Sequence, residues 1–260
     1  MTAAEKSTAS REESDVGPIV AENLARVREQ IGAAAERAGR SPDGVTLVGV
    51  SKYVDAAATR ALADAGCVDL GESRPQQLWQ KAESPELARH ESAGAHPAGA
   101  ESDGPEPDDV GVRWHMVGHL QRNKVKRTLP ITTLIHGVDS ERLLRAISEQ
   151  SPPDQPTRVL LEVNTSGDVE KHGLTPDAAR ELVARQVEFP NVEMCGLMTM
   201  AAREGGEPVA RRNFESLREL RDELLPGGEL SMGMSGDFEA AIAEGSTIVR
   251  IGTALWTGIL

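Results

Sequence analysis

The sequence predicts a closed (β/α)8 barrel of the TIM type. Eight short apolar runs alternate with seven helix-like segments along a chain of 260 residues. Such alternation calls for a parallel sheet, and a count of eight favours closure over an open, doubly wound sheet. No Gly-x-Gly-x-x-Gly or Walker loop follows any of the runs, which counts against a nucleotide-binding fold.

Each element has a local reason. Residues 1–16 are polar and read as a disordered tail, leaving 17–260 as one barrel domain. A first helix over Ile19–Ala38 carries Leu24, Val27, Ile31 and Ala35 on one stripe. Strands follow at Thr46–Ser51, Cys67–Gly71, Arg113–Gly118, Thr133–Val138, Arg158–Val163, Val192–Met198, Leu230–Met234 and Thr247–Ile251. Between them lie helical segments at Asp55–Ala65, Pro75–Ala82, Arg122–Thr128, Ser140–Glu149, Pro176–Glu188, Pro208–Leu225 and Asp237–Glu244. Gly66 closes the first of these as a C-cap. Almost no helix follows the eighth strand, so the extra N-terminal helix is expected to cover that gap. The stretch at about 84–110 is rich in Ala, Gly, Pro, Ser and acid and lacks apolar periodicity. It reads as a flexible surface insertion, because it cannot bury enough surface to offset its ordering entropy.

Charge and composition bound the function. The net charge is −13, of which Glu83–Val110 carries −7 and residues 1–16 carry −2. The remaining −4 is ordinary, and no basic nucleic-acid footprint is present. No apolar run approaches the ~20 residues of a membrane span, and the N-terminus lacks the apolar stretch of a signal peptide. Cys67 and Cys195 both lie in strand-like runs and read as buried free thiols of a cytoplasmic protein.

Two features carry chemistry. Lys52 ends the apolar run Leu47-Val48-Gly49-Val50, sharing a face with Val48 and Val50 if the strand alternates. An inward, partly desolvated lysine is a nucleophilic amine that forms a Schiff base with an aldehyde. The alternative is that Lys52 pairs with an acid such as Glu72, and spacing alone leaves both open. The second feature is "SMGMSGDFEAAIAEGSTIVRIGTALWTG". Ser235 reads as the N-cap of a helix, Gly236 and Gly252 admit close backbone approach, and helix starts favour anions. Loops after strands seven and eight form the usual phosphate site of such barrels, although Ser-Gly-Asp is also a common helix start. An aldehyde and a phosphate on one ligand would satisfy both features, and pyridoxal 5'-phosphate is the candidate.

Other residues read more plainly. His115 and His119 share a strand face, as zinc ligands would, but no third ligand has suitable spacing, and His136 and His172 lie on other elements. They read as structural. Lys124, Lys126 and Arg127 read as a solvated helix face, "NTSGDVEKHG" lacks EF-hand spacing, and Lys171 reads as a surface lysine. Met194, Met198, Met200, Met232 and Met234 read as packing.

The motifs "LVGVSKYVDAAATRALADAGCVDLGESRPQQL", "WHMVGHLQRNKVK", "IHGVDSERLL", "VNTSGDVEKHGL", "GLMTM" and the C-terminal stretch occur in this order. Together they resemble the pyridoxal-phosphate homeostasis proteins, single-domain relatives of the barrel of alanine racemase. The resemblance runs from about Val45 to Gly258. It implies that Lys52 is the Schiff-base lysine, that Ser235, Gly236, Gly252 and Thr253 hold the phosphate, and that Arg250 lies against the pyridine nitrogen. Ser73 and Met232 join the implied cofactor-binding set. A guanidinium beside that nitrogen disfavours its protonation and weakens the cofactor as an electron sink. Where the family usually has Asn after Gly-Glu, this chain has Ser73, which loses reach and a donor.

The function so implied is intracellular homeostasis of pyridoxal phosphate without catalysis, as a monomer, with cofactor-dependent apo-enzymes as candidate recipients. No metal, membrane or nucleic acid enters this reading. The alternative is an amino-acid racemase of the same fold. Two-base racemisation needs a proton donor on each face of the cofactor. The single tyrosine, Tyr53, adjoins Lys52 and is expected to point the opposite way, and no second domain is apparent to close the site. A Schiff-base aldolase is a third class, which the ordered motifs disfavour.

Overall fold

A computed structural model describes residues 3–87, 111–168 and 172–260, with side chains from residue 16 onward. The acidic stretch therefore lies largely outside the described residues, as does Lys171. Helix α1 spans Ala3–Arg37, so it begins well before Ile19 and takes in residues read as a tail. Eight parallel strands follow: β1 Thr46–Val50, β2 Asp69–Glu72, β3 Arg113–Met116, β4 Thr132–Val138, β5 Thr157–Glu162, β6 Val192–Met198, β7 Glu229–Ser231 and β8 Ile248–Ile251. They pair in sequence order and β8 returns to β1, closing the barrel. The helices between them are α2 Ala56–Asp64, α3 Pro75–Ala82, α4 Val125–Thr128, α5 Glu141–Gln150, α6 Pro176–Ala184, α7 Gly206–Leu224 and α8 Phe238–Ala243.

Capping explains several boundaries. The Asp55 carboxylate accepts the Ala58 N–H at 2.9 Å, and the Thr175 hydroxyl accepts the Ala178 N–H at 3.1 Å. Each satisfies a donor that the first turn of its helix leaves open. Gly66, at φ +97°, reverses the chain into β2 in the left-handed region that glycine tolerates.

The main apolar core lies between strands and helices, and a smaller cluster of Val48, Leu134, Leu160, Met198 and Ile248 is packed apart from it. A Cβ built on Gly71 would touch Val48 and Val50, so these side chains share one side of the sheet. Val20, Leu24, Val27, Ile31 and Ala35 form the buried stripe of α1. Asn23 Nδ2 donates to the carbonyls of Leu255 and Thr257 at 3.1 and 2.9 Å, and α1 packs beside α2 and α8. Thus α1 fills the place left by the short 3-10 turn Thr253–Trp256 after β8. Among the described residues no helix is long and apolar enough to cross a membrane.

Cys67 is buried and Cys195 half-buried; both are free thiols. Burial pushes the Cys67 thiol up to about 12, so it stays protonated and inert at neutral pH.

Candidate functional site

Strand β1 ends at Val50, two residues before Lys52, and the chain then turns. Alternation along the strand therefore stops short of Lys52, and Tyr53 is not on an opposite face. The Lys52 Nζ sits 4.8 Å from the centre of the Tyr53 ring, which is 63 % exposed. Lys52 itself is half-buried.

Glu72 does not take Lys52 as its partner. Lys81 reaches in from α3 and places its Nζ 2.5 Å from Glu72 Oε1 and 2.6 Å from the Ser51 carbonyl. The Ser51 hydroxyl donates to Glu72 Oε1 at 3.0 Å, and the Ser73 N–H donates to Oε2 at 3.2 Å. This buried pair ties the end of β1 to the end of β2. It also leaves Lys52 without a carboxylate at ion-pair distance among the described residues.

The C-terminal turn departs from the expected cap. Helix α8 starts at Phe238 with Asp237 before it, and β7 ends at Ser231, so Ser235 caps nothing. Its Oγ instead accepts the N–H groups of Gly252 and Ala254 at 3.3 and 3.4 Å. Both bonds are longer than the usual ~2.9 Å, so these donors are weakly held. A Cβ on Gly236 would meet nothing within 4 Å. Three weakly engaged polar groups beside open space at a loop end suit a phosphate oxygen. Thr253 is exposed at the same turn. Trp256 Nε1 donates to the Val50 carbonyl at 2.8 Å, which pins this turn to the strand that leads to Lys52. The β1–β8 register sets Gly49 against Ile251, one residue before Val50 and Gly252.

Arg250 is buried, and burial lowers its guanidinium to about 10, against the opposing pull of Glu162 and Asp237. It remains charged at neutral pH. Its Nη1 donates to Ser231 Oγ at 2.6 Å and its Nη2 to the Thr199 carbonyl at 3.0 Å.

Residues 23–259 match the family described as the N-terminal domain of alanine racemase. The pyridoxal phosphate homeostasis protein of Aquifex aeolicus is 38 % identical over 243 residues, covering 90 % of this chain and 96 % of the relative. That of Escherichia coli K12 is 36 % identical over 242 residues, covering 91 % and 95 %. The chain belongs to the pyridoxal phosphate homeostasis protein family. Among solved structures, PipY of Synechococcus elongatus with PLP bound superposes with a TM-score of 0.71 at 29 % identity, covering 91 % of this chain and 99 % of that one. The alanine racemase of Corynebacterium glutamicum shares the fold, with a TM-score of 0.64 at 14 % identity; 92 % of this chain matches 60 % of that one.

Within this family member the other expected site residues scatter. Ser73 is half-buried at the end of β2, its backbone so close to Gly118 that a Cβ there would lie 2.4 Å from the Ser73 carbonyl oxygen. Met232 is fully buried in the main apolar core, directly before the turn at Gly233. Met200 and Met234, read as packing, are 42 % and 41 % exposed, since both lie past the ends of their strands. Arg127 follows the expected solvated face, stacked on Trp79 and paired with Glu83.

A polar chain through the interior was not apparent from sequence. His136 Nδ1 lies 2.8 Å from Ser231 Oγ, His136 Nε2 lies 2.9 Å from His115 Nδ1, and His115 Nε2 lies 3.0 Å from Asp69 Oδ1. One donor order satisfies every atom. Arg250 donates to Ser231, the Ser231 hydroxyl to His136, His136 Nε2–H to His115, and His115 Nε2–H to the Asp69 carboxylate. His136 is then neutral. Burial, with His115 and Arg250 nearby, holds His136 well below its usual range. The chain runs from Arg250 through Ser231 to Asp69, which Arg113 grips through two hydrogen bonds. Glu162 is a second interior polar group outside the expected site. It interrupts the apolar run of β5 at its carboxyl end, the same signal that marks Lys52. Burial and then Asp139 raise its carboxyl.

Asp69 predicts an acid response. Burial raises its carboxyl, but hydrogen bonds from Arg113 and His115 outweigh it and hold the group at about 2. A depressed carboxylate stabilises the fold above its unfolded value of about 4, and that contribution is lost as pH falls through the folded value. Unfolding free energy should therefore drop between about pH 4 and pH 2, with a shallower slope in Asp69→Asn. Equal slopes would show that another group governs acid unfolding.

Proposed function

We propose that this protein binds pyridoxal 5'-phosphate through Lys52 and serves intracellular homeostasis of that vitamer. When bound, the cofactor supplies an aldehyde that condenses reversibly with amines. Lys52 is the amine at the mouth, since Lys81 occupies the carboxylate that would otherwise hold it. The Gly252 N–H, the Ser235 hydroxyl, Gly236 and Thr253 take the phosphate, with the Ala254 N–H as a further donor. Arg250, held by Ser231 and Thr199, faces the ring nitrogen and keeps it unprotonated, which restrains carbanion chemistry. Ser73 approaches the ring from β2, directly or through water. Met232 supports the turn from within the core. The names of the relatives and the PLP-bound PipY structure support the same reading.

The observation that carries this reading is the tie between Trp256 and Val50, which sets the amine and the oxyanion turn on neighbouring strand ends. The reading includes a cytoplasmic location, a monomer and cofactor-dependent apo-enzymes as recipients, and assigns no catalytic residue.

The purified protein should absorb in the visible, and Lys52→Ala should abolish that band while far-ultraviolet circular dichroism is unchanged. A colourless wild-type protein that stays colourless after loading with pyridoxal phosphate refutes the proposal. Incubation with single L-amino acids in deuterated water should give no stereospecific α-proton exchange. Exchange at enzyme-like turnover would replace the carrier with the racemase.

A further inference from the structure

Three side chains that the cofactor reading does not use converge at the rim of the barrel. His119 follows β3, Asp139 follows β4 directly, and His172 lies in the loop after β5. One ligand atom from each falls within 4.8 Å of the other two. His119 Nδ1 lies 2.9 Å from Asp139 Oδ2, and the rings of His119 and His172 are 5.5 Å apart between centroids with 27° between planes. Two imidazoles on one tetrahedral ion at Zn–N ≈ 2.0–2.1 Å have centroids roughly 5 Å apart. The observed spacing is near that value without an ion.

We propose that His119, Asp139 and His172 form a binding site for one divalent transition-metal ion of the zinc class. The donor set of two imidazoles and a carboxylate suits zinc and leaves a coordination position open.

Hydrogen bonds and close backbone contacts surround the ligands. The Ser140 hydroxyl donates to Asp139 Oδ1 at 3.1 Å, leaving Oδ2 toward His119. Backbone bonds between Glu162, Asn164 and Leu174 clamp the far side of the His172 loop: the Leu174 N–H donates to the Glu162 carbonyl at 2.7 Å, and the Asn164 N–H to the Leu174 carbonyl at 2.9 Å. Gly173, at φ +117°, makes the turn that brings His172 back over the rim. Gly118 sits against the Ser73 backbone and fixes the approach to His119. Ligand atoms that already lie within 4.8 Å of one another need less ordering when a metal binds.

His119 and Asp139 also line a cleft of about 560 Å³ that includes Arg122 and Arg142. A metal there would have an anion-accepting wall beside its open position.

The test titrates the full-length protein with zinc chloride by calorimetry. One zinc ion should bind per chain, and His172→Ala and Asp139→Asn should each weaken it by more than about tenfold. Cobalt substitution should produce d–d absorption bands, which His119→Gln alters. Neither Cys67 nor Cys195 belongs to the site, so a Cys67→Ser/Cys195→Ser protein should bind equally. Lys52→Ala should also bind zinc equally, which separates this proposal from the cofactor reading. Absence of one-per-chain binding in the wild type overturns it, as does affinity unchanged in both His172→Ala and Asp139→Asn. If a variant loses its fold, the cobalt spectrum of the wild type decides: bands lacking nitrogen ligation count against the site.

Discussion

Lys81→Met should lower the unfolding free energy by roughly 3–5 kcal/mol, the cost of leaving one member of a buried ion pair alone. Glu72 has no exposed surface, and Lys81 supplies both its counter-charge and the donor to the Ser51 carbonyl. Methionine fills similar volume but offers no proton, so the Glu72 carboxylate would keep only the Ser51 hydroxyl and the Ser73 N–H. Denaturant titration at pH 7 measures the loss. The double variant Glu72→Gln/Lys81→Met should recover most of it, because removing both charges removes the desolvation problem as well as the attraction. Since Ser51 precedes Lys52, the single variant should also retain pyridoxal phosphate less well, whereas the double variant should retain it better. A loss below about 1 kcal/mol in the single variant would show that water reaches Glu72.

Gly196→Ala is expected to be worse still. Strand β6 bulges at Cys195: Val159 of β5 pairs with Met194, and the next residue, Leu160, pairs with Gly196. On its other side Gly196 pairs with Glu229 of β7 so closely that a Cβ would lie 2.0 Å from the Glu229 carbonyl oxygen and 2.5 Å from its nitrogen. Backbone cannot step aside as a side-chain tip does, so β6 and β7 would have to part. That pairing continues to Met198 and Ser231 and on to the Thr199 N–H, which donates to the Ser231 carbonyl. Ser231 and Thr199 are the two anchors of Arg250. A loss above about 4 kcal/mol is expected, a size that single substitutions reach when core packing or backbone pairing gives way. Denaturant unfolding, or the soluble yield if the protein cannot be refolded, reads it. Stability within 1 kcal/mol of wild type would mean that the β6–β7 contact yields to a methyl group.

The two variants mark different levels of legibility. Gly196 stands in a strand-like run, and a glycine there signals a bulge or a close approach, but not which strand approaches. Lys81 reads as one polar residue on an amphipathic helix. Only the closure of α3 over β1 and β2 turns it into the partner of Glu72 and so releases Lys52.

By itself the sequence determined the order and number of strands, the parallel barrel, the buried stripe of α1, and Lys52 as a charged residue closing an apolar run. These follow from periodicity and from charged residues that interrupt apolar runs, which are local properties of the chain. The tertiary structure alone decided which charges pair, that Ser235 turns toward β8 instead of capping α8, that Met232 is sealed in the core, and that His115 and His136 join Ser231 and Asp69 in one hydrogen-bonded chain. It also brought His172 beside His119 and Asp139. The physical reason is closure: bending eight strands into a ring sets side chains far apart in sequence against one another, and no spacing along the chain encodes that distance.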